Sequence, residues 1–202
     1  MTKPPVSVVK IGGSLLQAAD FPRRFQVWLD VKSVANPDTH FVLVAGGGPW
    51  VEGIRQLDAH SPLGDERAHW LCVAIMDITA GLVGAMLPQL CLVKTFAELE
   101  ARLCEPGCTL LAPCEFVQRV EPRFAGNRLP AYWSVTSDSI AGRLAIVLGA
   151  TELTLLKSIP PPERRSKVGD LSELASAGYV DAFLPALGVD LPPVEFSVLP
   201  PE

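Results

Sequence analysis

The stretch Val6–Ser14, VSVVKIGGS, decides the fold because it joins a buried strand to a glycine corner. Its first six residues are mostly β-branched, which predicts a strand buried on both faces. Gly12 and Gly13 let the backbone approach a ligand closely. We expect a helix from Ser14 whose free N–H groups attract phosphate oxygens, with Lys10 placing a cation at the same point. A tight turn without a ligand is the alternative, and the pattern is not a Walker motif because the lysine precedes the glycines.

A second glycine corner, Gly46-Gly47-Gly48, follows the apolar run Phe41–Ala45. Pro49 comes next, where proline suits the first turn of a helix. Three consecutive glycines are entropically costly, so a simple turn does not account for all of them. Ligands of α/β proteins bind at the carboxyl ends of the strands. Because both corners follow strands of one sheet, we predict that they bind phosphate or another anion together.

Outward from these corners, apolar β-branched runs alternate with longer stretches of helical spacing. This order predicts an α/β fold with a mostly parallel central sheet. The predicted strands are Val6–Ile11, Phe41–Ala45, Cys91–Thr95, Cys108–Ala112, Leu153–Lys157 and Val194–Leu199. Helices are predicted from Ser14 onward, at Phe25–Val34, from Pro49 to about Leu57, from Asp65 to about Pro88, at Phe96–Leu103, from Thr136 or Ser137 to Leu148, and at Asp170–Ala177. A polar loop is predicted at Pro160–Lys167.

Two further segments carry polar side chains at the ends of predicted elements. Thr136, Ser137 and Asp138 lie at the start of a predicted helix, where they either cap it or bind a ligand. In the second interpretation Asp138 holds Lys10 in position while the neighbouring hydroxyl and N–H groups meet the ligand. Lys157 ends a predicted strand that faces the same edge of the sheet.

Composition and charge restrict the possible functions. The chain has 202 residues, 49% hydrophobic and 19% charged, which suits one domain over residues 1–202. A net charge of −5 disfavours non-specific binding to nucleic acid or anionic membranes. Five cysteines without a C-x-x-C pair predict reduced thiols in the cytoplasm, with no disulfide framework and no metal site. The longest apolar stretch, near Cys72–Leu90, contains Asp77 and is not predicted to span a membrane.

Four motifs together resemble the amino-acid-kinase superfamily, in that family's order. They are Lys10-x-Gly12-Gly13-Ser14, Gly46-Gly47-Gly48-Pro49, Thr136-Ser137-Asp138-Ser139 and Leu156-Lys157-Ser158. The resemblance implies a three-layer αβα sandwich of the carbamate-kinase-like fold, with an acceptor-binding part at about residues 1–135 and an ATP-binding part at about residues 136–202. It also implies an ATP-dependent phosphotransferase that acts on a small phosphate substrate, with Mg²⁺ held largely by the phosphates.

The same resemblance implies roles for individual residues. Lys10 would bridge the transferring phosphate, Asp138 would organise the lysines, and Lys157 would reach the nucleotide. The remaining ATP- or phosphate-binding positions are Gly12, Gly13, Ser14, Gly46, Gly47, Gly48, Thr136, Ser137 and Ser158, and the substrate-binding candidates are Gly47, Gly48, Trp133, Thr136 and His69. Phosphoryl transfer needs such positioning and charge neutralisation more than a nucleophilic side chain.

Within this superfamily the motifs look most like the uridylate-kinase branch, whose acceptor is a phosphate monoester. The segment Trp133–Ser139 and the run Leu-Leu-Lys-Ser ending at Ser158 resemble, more narrowly, the kinase of methanofuran-type cofactor synthesis. That enzyme converts [5-(aminomethyl)furan-3-yl]methyl phosphate into its diphosphate. Trp133, Trp50 and Trp70 are candidates for contacting the furan ring or its ammonium, and each is otherwise a core or subunit-contact residue.

Other functions remain open at this stage. One is a kinase that forms acyl phosphates, as acetylglutamate kinase does, or that phosphorylates UMP or isopentenyl phosphate. Another is a non-catalytic protein that binds ATP or another anion. The sequence departs from uridylate kinases where Ala68-His69-Trp70 opens the long helix, where Arg55 lies further along than the usual arginine, and where Pro160-Pro161-Pro162 replaces an Asp-Gly turn.

The predicted long helix from Asp65 carries apolar residues on most of its surface, more than one core face requires. Members of the resembled family generally pair through this region. We therefore expect a homodimer or a higher homo-oligomer.

Overall fold

Six parallel strands form one sheet at the centre of the protein. The computed structural model describes residues 3–162 and 171–200. The strands are β1 at Val6–Ile11, β2 at His40–Ala45, β3 at Cys91–Val93, β4 at Gly107–Leu111, β5 at Glu152–Lys157 and β6 at Val194–Val198. Their order across the sheet is β3-β4-β2-β1-β5-β6, and every pairing is parallel. The predicted α/β fold is confirmed, and all six predicted strands are present within two residues of their predicted bounds.

Helices cover both faces of the sheet and complete the three layers. They are α1 at Phe21–Ala35, α2 at Gly48–His60, α3 at Asp65–Met86, α4 at Phe96–Arg102, α5 at Ser137–Leu148 and α6 at Leu171–Ser176. Side chains alternate along β1, so Val8 packs in the core with Ile140 of α5, whereas Val9 packs in the opposite core with Phe25 of α1. Lys10 has the parity of Val8 and therefore faces the layer that contains α5.

The expectation of a helix from Ser14 is wrong. A short 3₁₀ turn, Gly13–Gln17, follows β1, and α1 begins only at Phe21, with Pro22 in its first turn. Because this turn is too short to carry a helix dipole, its contribution to anion binding is limited to its backbone N–H groups. The sequence also did not predict the irregular helical turns at Phe116–Val120, Glu121–Arg123 and Leu184–Asp190. Most of the predicted loop Pro160–Lys167 lies outside the described residues, as does Asp170.

The long helix α3 meets the length and composition criteria for a membrane span, a weak indication that core helices also satisfy. Val73 and Val83 on its inner face are buried in the two cores on either side of the sheet. Ile78 is 61% exposed and Leu82 38% exposed on its outer face. This outer face is the surface that the sequence predicts for self-association, which stays a prediction.

A buried histidine at the start of β2 makes stability depend on pH. His40 is 2% exposed, and its ring nitrogens lie 2.7 Å from Glu105 O and 2.9 Å from Thr109 Oγ1. Burial lowers the pKa of His40 below its ordinary value of 6.5, so the unfolded chain binds the proton more readily than the folded chain does. Stability is therefore full above that value and is lost as the pH falls through it toward the folded pKa.

We expect the urea concentration at the midpoint of unfolding to decrease as the pH is lowered from about 7 to about 5. In the His40→Gln variant this midpoint should decrease less steeply. Urea titrations of both proteins across this range measure the difference. The His60→Gln variant, at the exposed end of α2, serves as the control and should keep the slope of the wild type. Equal slopes in the His40→Gln variant and the wild type would show that His40 does not carry the effect.

Candidate active site

The carboxyl ends of the adjacent strands β2, β1 and β5 lie side by side at one edge of the sheet. Ile11 at the end of β1 pairs with Ala45 on one side and Leu156 on the other. Hydrogen bonds extend this register into the loops, since Gly12 N–H donates to Leu156 O over 2.8 Å. In the same way, Gly46 N–H donates to Ile11 O over 2.9 Å. The parallel register therefore brings both glycine corners to the same place, as the sequence predicts.

The two glycine corners pack directly against each other. A Cβ atom added at Gly13 would lie 2.2 Å from the backbone nitrogen of Gly48. One added at Gly48 would lie 2.7 Å from the carbonyl oxygen of Gly13, and Gly48 also has a φ of 58°, which favours glycine. Side chains are thus excluded from the contact between the corners, and the backbone of both corners lines one cavity.

A buried carboxylate lies between two ammonium groups at the floor of this cavity. Asp138 is 3% exposed, with Lys157 Nζ donating to its Oδ2 over 2.7 Å. Lys10 Nζ lies 2.8 Å from Oδ1 as an ion pair, but its direction is not that of a hydrogen bond, and Oδ1 accepts none from the described residues. Burial would raise the pKa of Asp138, but the charges of Lys10 and Lys157 outweigh it and lower the pKa to about 2. The carboxylate is therefore ionised at neutral pH.

The lysine at the end of β5 is held by a second segment of the chain. Besides its bond to Asp138, Lys157 Nζ donates to Tyr179 O over 2.9 Å and lies 5.4 Å from the centroid of the Tyr179 ring. The Tyr179 hydroxyl donates to Ile159 O over 2.9 Å. Burial and the nearby charge of Lys10 lower the pKa of Lys157. The side chain is therefore fixed at three points before any ligand binds.

The first turn of α5, which carries Asp138, is capped by a carboxylate from a distant part of the chain. Thr136 is the N-cap residue, but its side chain makes no capping hydrogen bond. Its N–H and hydroxyl instead donate to Asp181 Oδ2 over 3.0 and 2.8 Å, and Ser139 N–H donates to the same oxygen over 2.9 Å. Among the described residues nothing accepts from the Ser137 hydroxyl or N–H, so both remain for a ligand at the cavity wall.

The cavity has a volume of about 510 Å³ and two chemically different ends. One end holds the glycine corners and the lysines. The other is formed by Arg55, His69, Cys72, Tyr132 and Trp133. The Arg55 guanidinium lies 5.7 Å from the Trp133 ring centroid, and the Trp133 indole N–H donates to Asp58 Oδ2 over 3.2 Å. This end can receive a flat group, while the first suits phosphates.

Most of the residues that the sequence predicts for the site line this one cavity. They are Lys10, Gly12, Gly13, Ser14, Gly46, Gly47, Gly48, His69, Trp133, Thr136, Ser137 and Lys157. Asp138 lies beneath it between the lysines. Ser158 is outside the lining, where its hydroxyl accepts from the Ser14 hydroxyl over 3.2 Å. Trp50 and Trp70 are also outside the lining, and the ring of Trp70 packs edge-on against His69.

His69 is a buried residue whose ring faces the loop that carries Trp133. It is 2% exposed, and burial lowers its pKa, an effect that the backbone carbonyls of Tyr132 and Val135 partly offset. A neutral imidazole held against a loop supports the wall of the cavity.

The sequence did not predict the parts played by Asp181, Tyr179, Asp58 and Tyr132. Asp181 lies more than forty positions from the helix that it caps, and Asp58 is separated from Trp133 by 75 positions. Contacts of such long range have no spacing pattern in the sequence. Burial of Asp181 and the charge of Asp138 raise its pKa, which marks it as part of the same electrostatic cluster.

Comparison with solved structures finds the same fold in two uridylate kinases and an aspartate kinase. Uridylate kinase from Archaeoglobus fulgidus superposes with a TM-score of 0.62 at 16% identity, covering 98% of this chain and 90% of that one. UMP kinase from Bacillus anthracis gives 0.63 at 13% identity, with 98% and 88% covered. Aspartate kinase from Synechocystis gives 0.61 at 17% identity, with 95% of this chain but only 38% of that one covered.

No protein-family model matches the sequence, and no curated protein matches it either. Identities of 13–17% establish a likeness of fold, and the matches to the uridylate and UMP kinases span nearly the whole of both chains. The chain therefore has the fold that uridylate kinase and aspartate kinase share.

Proposed function

We propose that this protein is an ATP-dependent kinase that transfers the γ-phosphoryl group to a small phosphate monoester. The observation that carries the proposal is the convergence of two glycine corners and two lysines, paired through Asp138, on one cavity. Backbone N–H groups and ammonium groups are the donors that a triphosphate needs. The likeness of fold to uridylate kinase and aspartate kinase supports the same class of reaction.

In the proposed reaction, an oxygen of the acceptor phosphate attacks the γ-phosphorus of ATP. The bond from that phosphorus to the β–γ bridging oxygen breaks, and the electron pair leaves with ADP. The acceptor is already ionised, so no base has to remove a proton, and none of Lys10, Asp138 and Lys157 needs to act as a general base. Lys10 and Lys157 stabilise the charge that develops on the transferring and leaving oxygens, and the glycine N–H groups hold the phosphate groups in position.

Magnesium belongs to this proposal as a partner of the nucleotide. Within residues 3–162 and 171–200, no group of three His, Cys, Asp or Glu side chains could hold a metal ion. Mg²⁺ commonly keeps several waters and binds through substrate phosphates. It would therefore enter with ATP and neutralise phosphate charge, while the protein supplies the lysines and the N–H groups.

We further propose [5-(aminomethyl)furan-3-yl]methyl phosphate as the acceptor, with its diphosphate as the product in methanofuran-type cofactor synthesis. The aromatic end of the cavity supports this choice, because Trp133 and Tyr132 line it with aromatic side chains that suit a furan. Asp58, which accepts from the Trp133 indole, lines an adjoining pocket that shares Arg55 and Trp133 with the cavity, and its carboxylate could there receive an ammonium group. The resemblance of Trp133–Ser139 and the segment ending at Ser158 to that subfamily supports it independently.

An ADP-release assay with a panel of acceptors tests the proposal. The panel contains the aminomethylfuran phosphate, UMP, isopentenyl phosphate and N-acetylglutamate, each with ATP and Mg²⁺. We expect ADP release with the aminomethylfuran phosphate at a kcat/KM far above that with the others. Preference for UMP or isopentenyl phosphate would keep the kinase and change the acceptor. Release only with N-acetylglutamate would contradict a phosphate acceptor, and no release above the acceptor-free rate would contradict the kinase.

The Trp133→Ala variant tests which end of the cavity takes the acceptor. Loss of the indole removes a ring face and the hydrogen bond to Asp58, so we expect the KM for the acceptor to rise by about ten-fold or more, since base–aromatic stacking of this kind contributes roughly 1–3 kcal/mol. The KM for ATP should change little, because the phosphate-binding residues are untouched. Initial-rate kinetics with each substrate varied in turn measures both constants. A larger effect on ATP than on the acceptor would reverse the assignment of the two ends.

A further inference from the structure

One carboxylate, that of Asp181, collects an unusual number of donors at the start of α5. Oδ2 accepts from Thr136 N–H, Thr136 Oγ1 and Ser139 N–H, over 3.0, 2.8 and 2.9 Å. Oδ1 accepts from Leu184 N–H over 3.1 Å and from the Ser139 hydroxyl. Asp181 thereby ties the N-cap and the third residue of α5 to the segment that precedes the turn at Leu184–Asp190.

An ordinary helix N-cap involves fewer hydrogen bonds than Asp181 accepts. A Ser, Thr or Asp at the N-cap position commonly satisfies one free N–H, and Thr136 occupies that position here. Its hydroxyl is turned instead toward Asp181. The same carboxylate also binds both polar groups of Ser139, the residue that directly follows Asp138. The contacts therefore bracket Asp138 on both sides and fix the rotation of the turn that carries it.

We propose that Asp181 is a positioning residue of the charge cluster, which holds Asp138 in place between Lys10 and Lys157. Asp138 is buried, so a small rotation of the first turn of α5 would separate its oxygens from the ammonium groups at 2.8 and 2.7 Å. The lysines themselves end or nearly end β1 and β5 and are fixed by the sheet. The helix is the part that needs an external restraint.

The segment that contains Asp181 also reaches the other side of the cluster. Two residues earlier, the Tyr179 carbonyl accepts from Lys157 Nζ, and its ring lies beside the same ammonium. Tyr179 and Asp181 thus contact the two elements that carry Lys157 and Asp138. The stretch from Tyr179 to Asp181 thus sets the spacing of Lys10, Asp138 and Lys157, although the Asp181 carboxylate does not itself line the cavity.

The pKa of Asp138 distinguishes a positioning role of Asp181 from a purely electrostatic influence. Besides burial, the charge of Asp138 raises the pKa of Asp181, and because this repulsion is mutual, removing negative charge from Asp181 would by itself lower the pKa of Asp138. If Asp181 positions Asp138, its removal also weakens the contacts with Lys10 and Lys157. Loss of those contacts would leave burial as the dominant influence, and burial raises the pKa of Asp138. The two roles therefore predict shifts of opposite sign.

The experiment compares the wild-type chain with the Asp181→Asn variant by NMR titration of the aspartate carboxyl carbons. We expect the pKa of Asp138 to be about 2 in the wild type and to rise to 3.8, its ordinary value, or above in the variant. A pKa that stays at the wild-type value or falls would overturn the proposal. Should Asp181→Asn not fold, Ser139→Ala removes one donor to Asp181 and should raise the pKa of Asp138 in the same direction, whereas no rise would overturn the proposal.

The Thr95→Ala variant is the matched control. Thr95 caps α4 through its side chain and a reciprocal bond with Glu98, away from the cavity. Its loss should lower the melting temperature, as loss of a cap does, and leave the pKa of Asp138 unchanged. A rise of that pKa in Thr95→Ala as well would trace the effect to general loosening of the fold and overturn the specific role of Asp181.

The consequence for turnover rests on the proposed kinase function, while the titration does not. In an active kinase we expect Asp181→Asn to lower kcat about ten- to a hundred-fold, the scale of a slightly misplaced site, and to change the KM for ATP by less than about three-fold. If the wild type does not turn over ATP, the proposed function fails and the titration still decides the positioning role. If the wild type turns over and Asp181→Asn keeps its kcat, the positioning role fails while the proposed function stands.

Discussion

Replacing Lys10 by alanine is expected to reduce turnover by at least about a thousand-fold, because in the proposed reaction it removes one of the two cations that would neutralise the transferring phosphoryl group. Lys10 lies at the end of β1, 6% exposed, with its ammonium against Asp138 and its chain in the wall of the cavity. Asp138 keeps Lys157 as a partner in the variant, so the carboxylate stays paired and the fold should persist. Initial-rate kinetics and circular dichroism measure the two effects separately.

Lys32→Ala provides the matched control for this variant. Lys32 also pairs with carboxylates, those of Glu195 and Glu152, but on α1, away from the cavity. Its removal deletes the same charge and a comparable side chain, and we expect kcat within about two-fold of the wild type, since a partly exposed pair contributes little beyond local stability. A Lys10→Ala enzyme with near-normal turnover would remove Lys10 from the catalytic role.

A methyl group at Gly13 is expected to cost about 3 kcal/mol of stability or more, as overpacking against backbone does. The added Cβ would lie 2.2 Å from the backbone nitrogen and 2.5 Å from the Cα of Gly48. Backbone atoms cannot rotate away as a flexible side chain can, so the two corners must separate. Because both corners then leave the positions from which we propose that they bind phosphate, we also expect Gly13→Ala to lose measurable affinity for ATP. Urea unfolding and titration calorimetry test the two expectations.

Gly53→Ala isolates the steric effect from the general effect of replacing glycine. Gly53 lies inside α2, and an added Cβ meets no atom within 4 Å. Alanine is a better helix former, so this variant should be as stable as the wild type or more stable by about 0.5–1 kcal/mol. Gly13→Ala with the stability and ATP affinity of Gly53→Ala would contradict the close contact of the corners.

The sheet and the glycine corners could be predicted from the sequence because both are local signals. A run such as Val6–Ile11 is apolar and β-branched over its whole length, and a strand of a parallel sheet buried on both faces requires that pattern. Once two such strands each end in glycines, parallel pairing alone brings those ends to one edge. The placement of Lys10, Gly13, Gly48 and Lys157 at one cavity follows from that register.

The supports of the site could not be predicted because they are contacts of long sequence separation. The sequence predicts that Thr136 caps α5 with its own hydroxyl, whereas in the structure the Asp181 carboxylate does so. No residue near Thr136 in the sequence indicates this difference. The 3₁₀ turn after β1 likewise differs from the expected helix, since Pro22 in the first turn of α1 marks the helix start several residues later. Contacts such as those of Asp181 with Thr136 and Ser139 depend on the packed fold rather than on a local motif.

In the proposed function both glycine corners hold the same triphosphate, and an NMR titration of the backbone amides with ATP and Mg²⁺ tests this most directly. We expect the amide signals of Gly13 and Gly48 to shift together and to saturate with a single dissociation constant, with the Gly53 amide of α2 unmoved as an internal reference. Shifts at neither corner, or shifts at the two corners with different dissociation constants, would contradict a shared phosphate site.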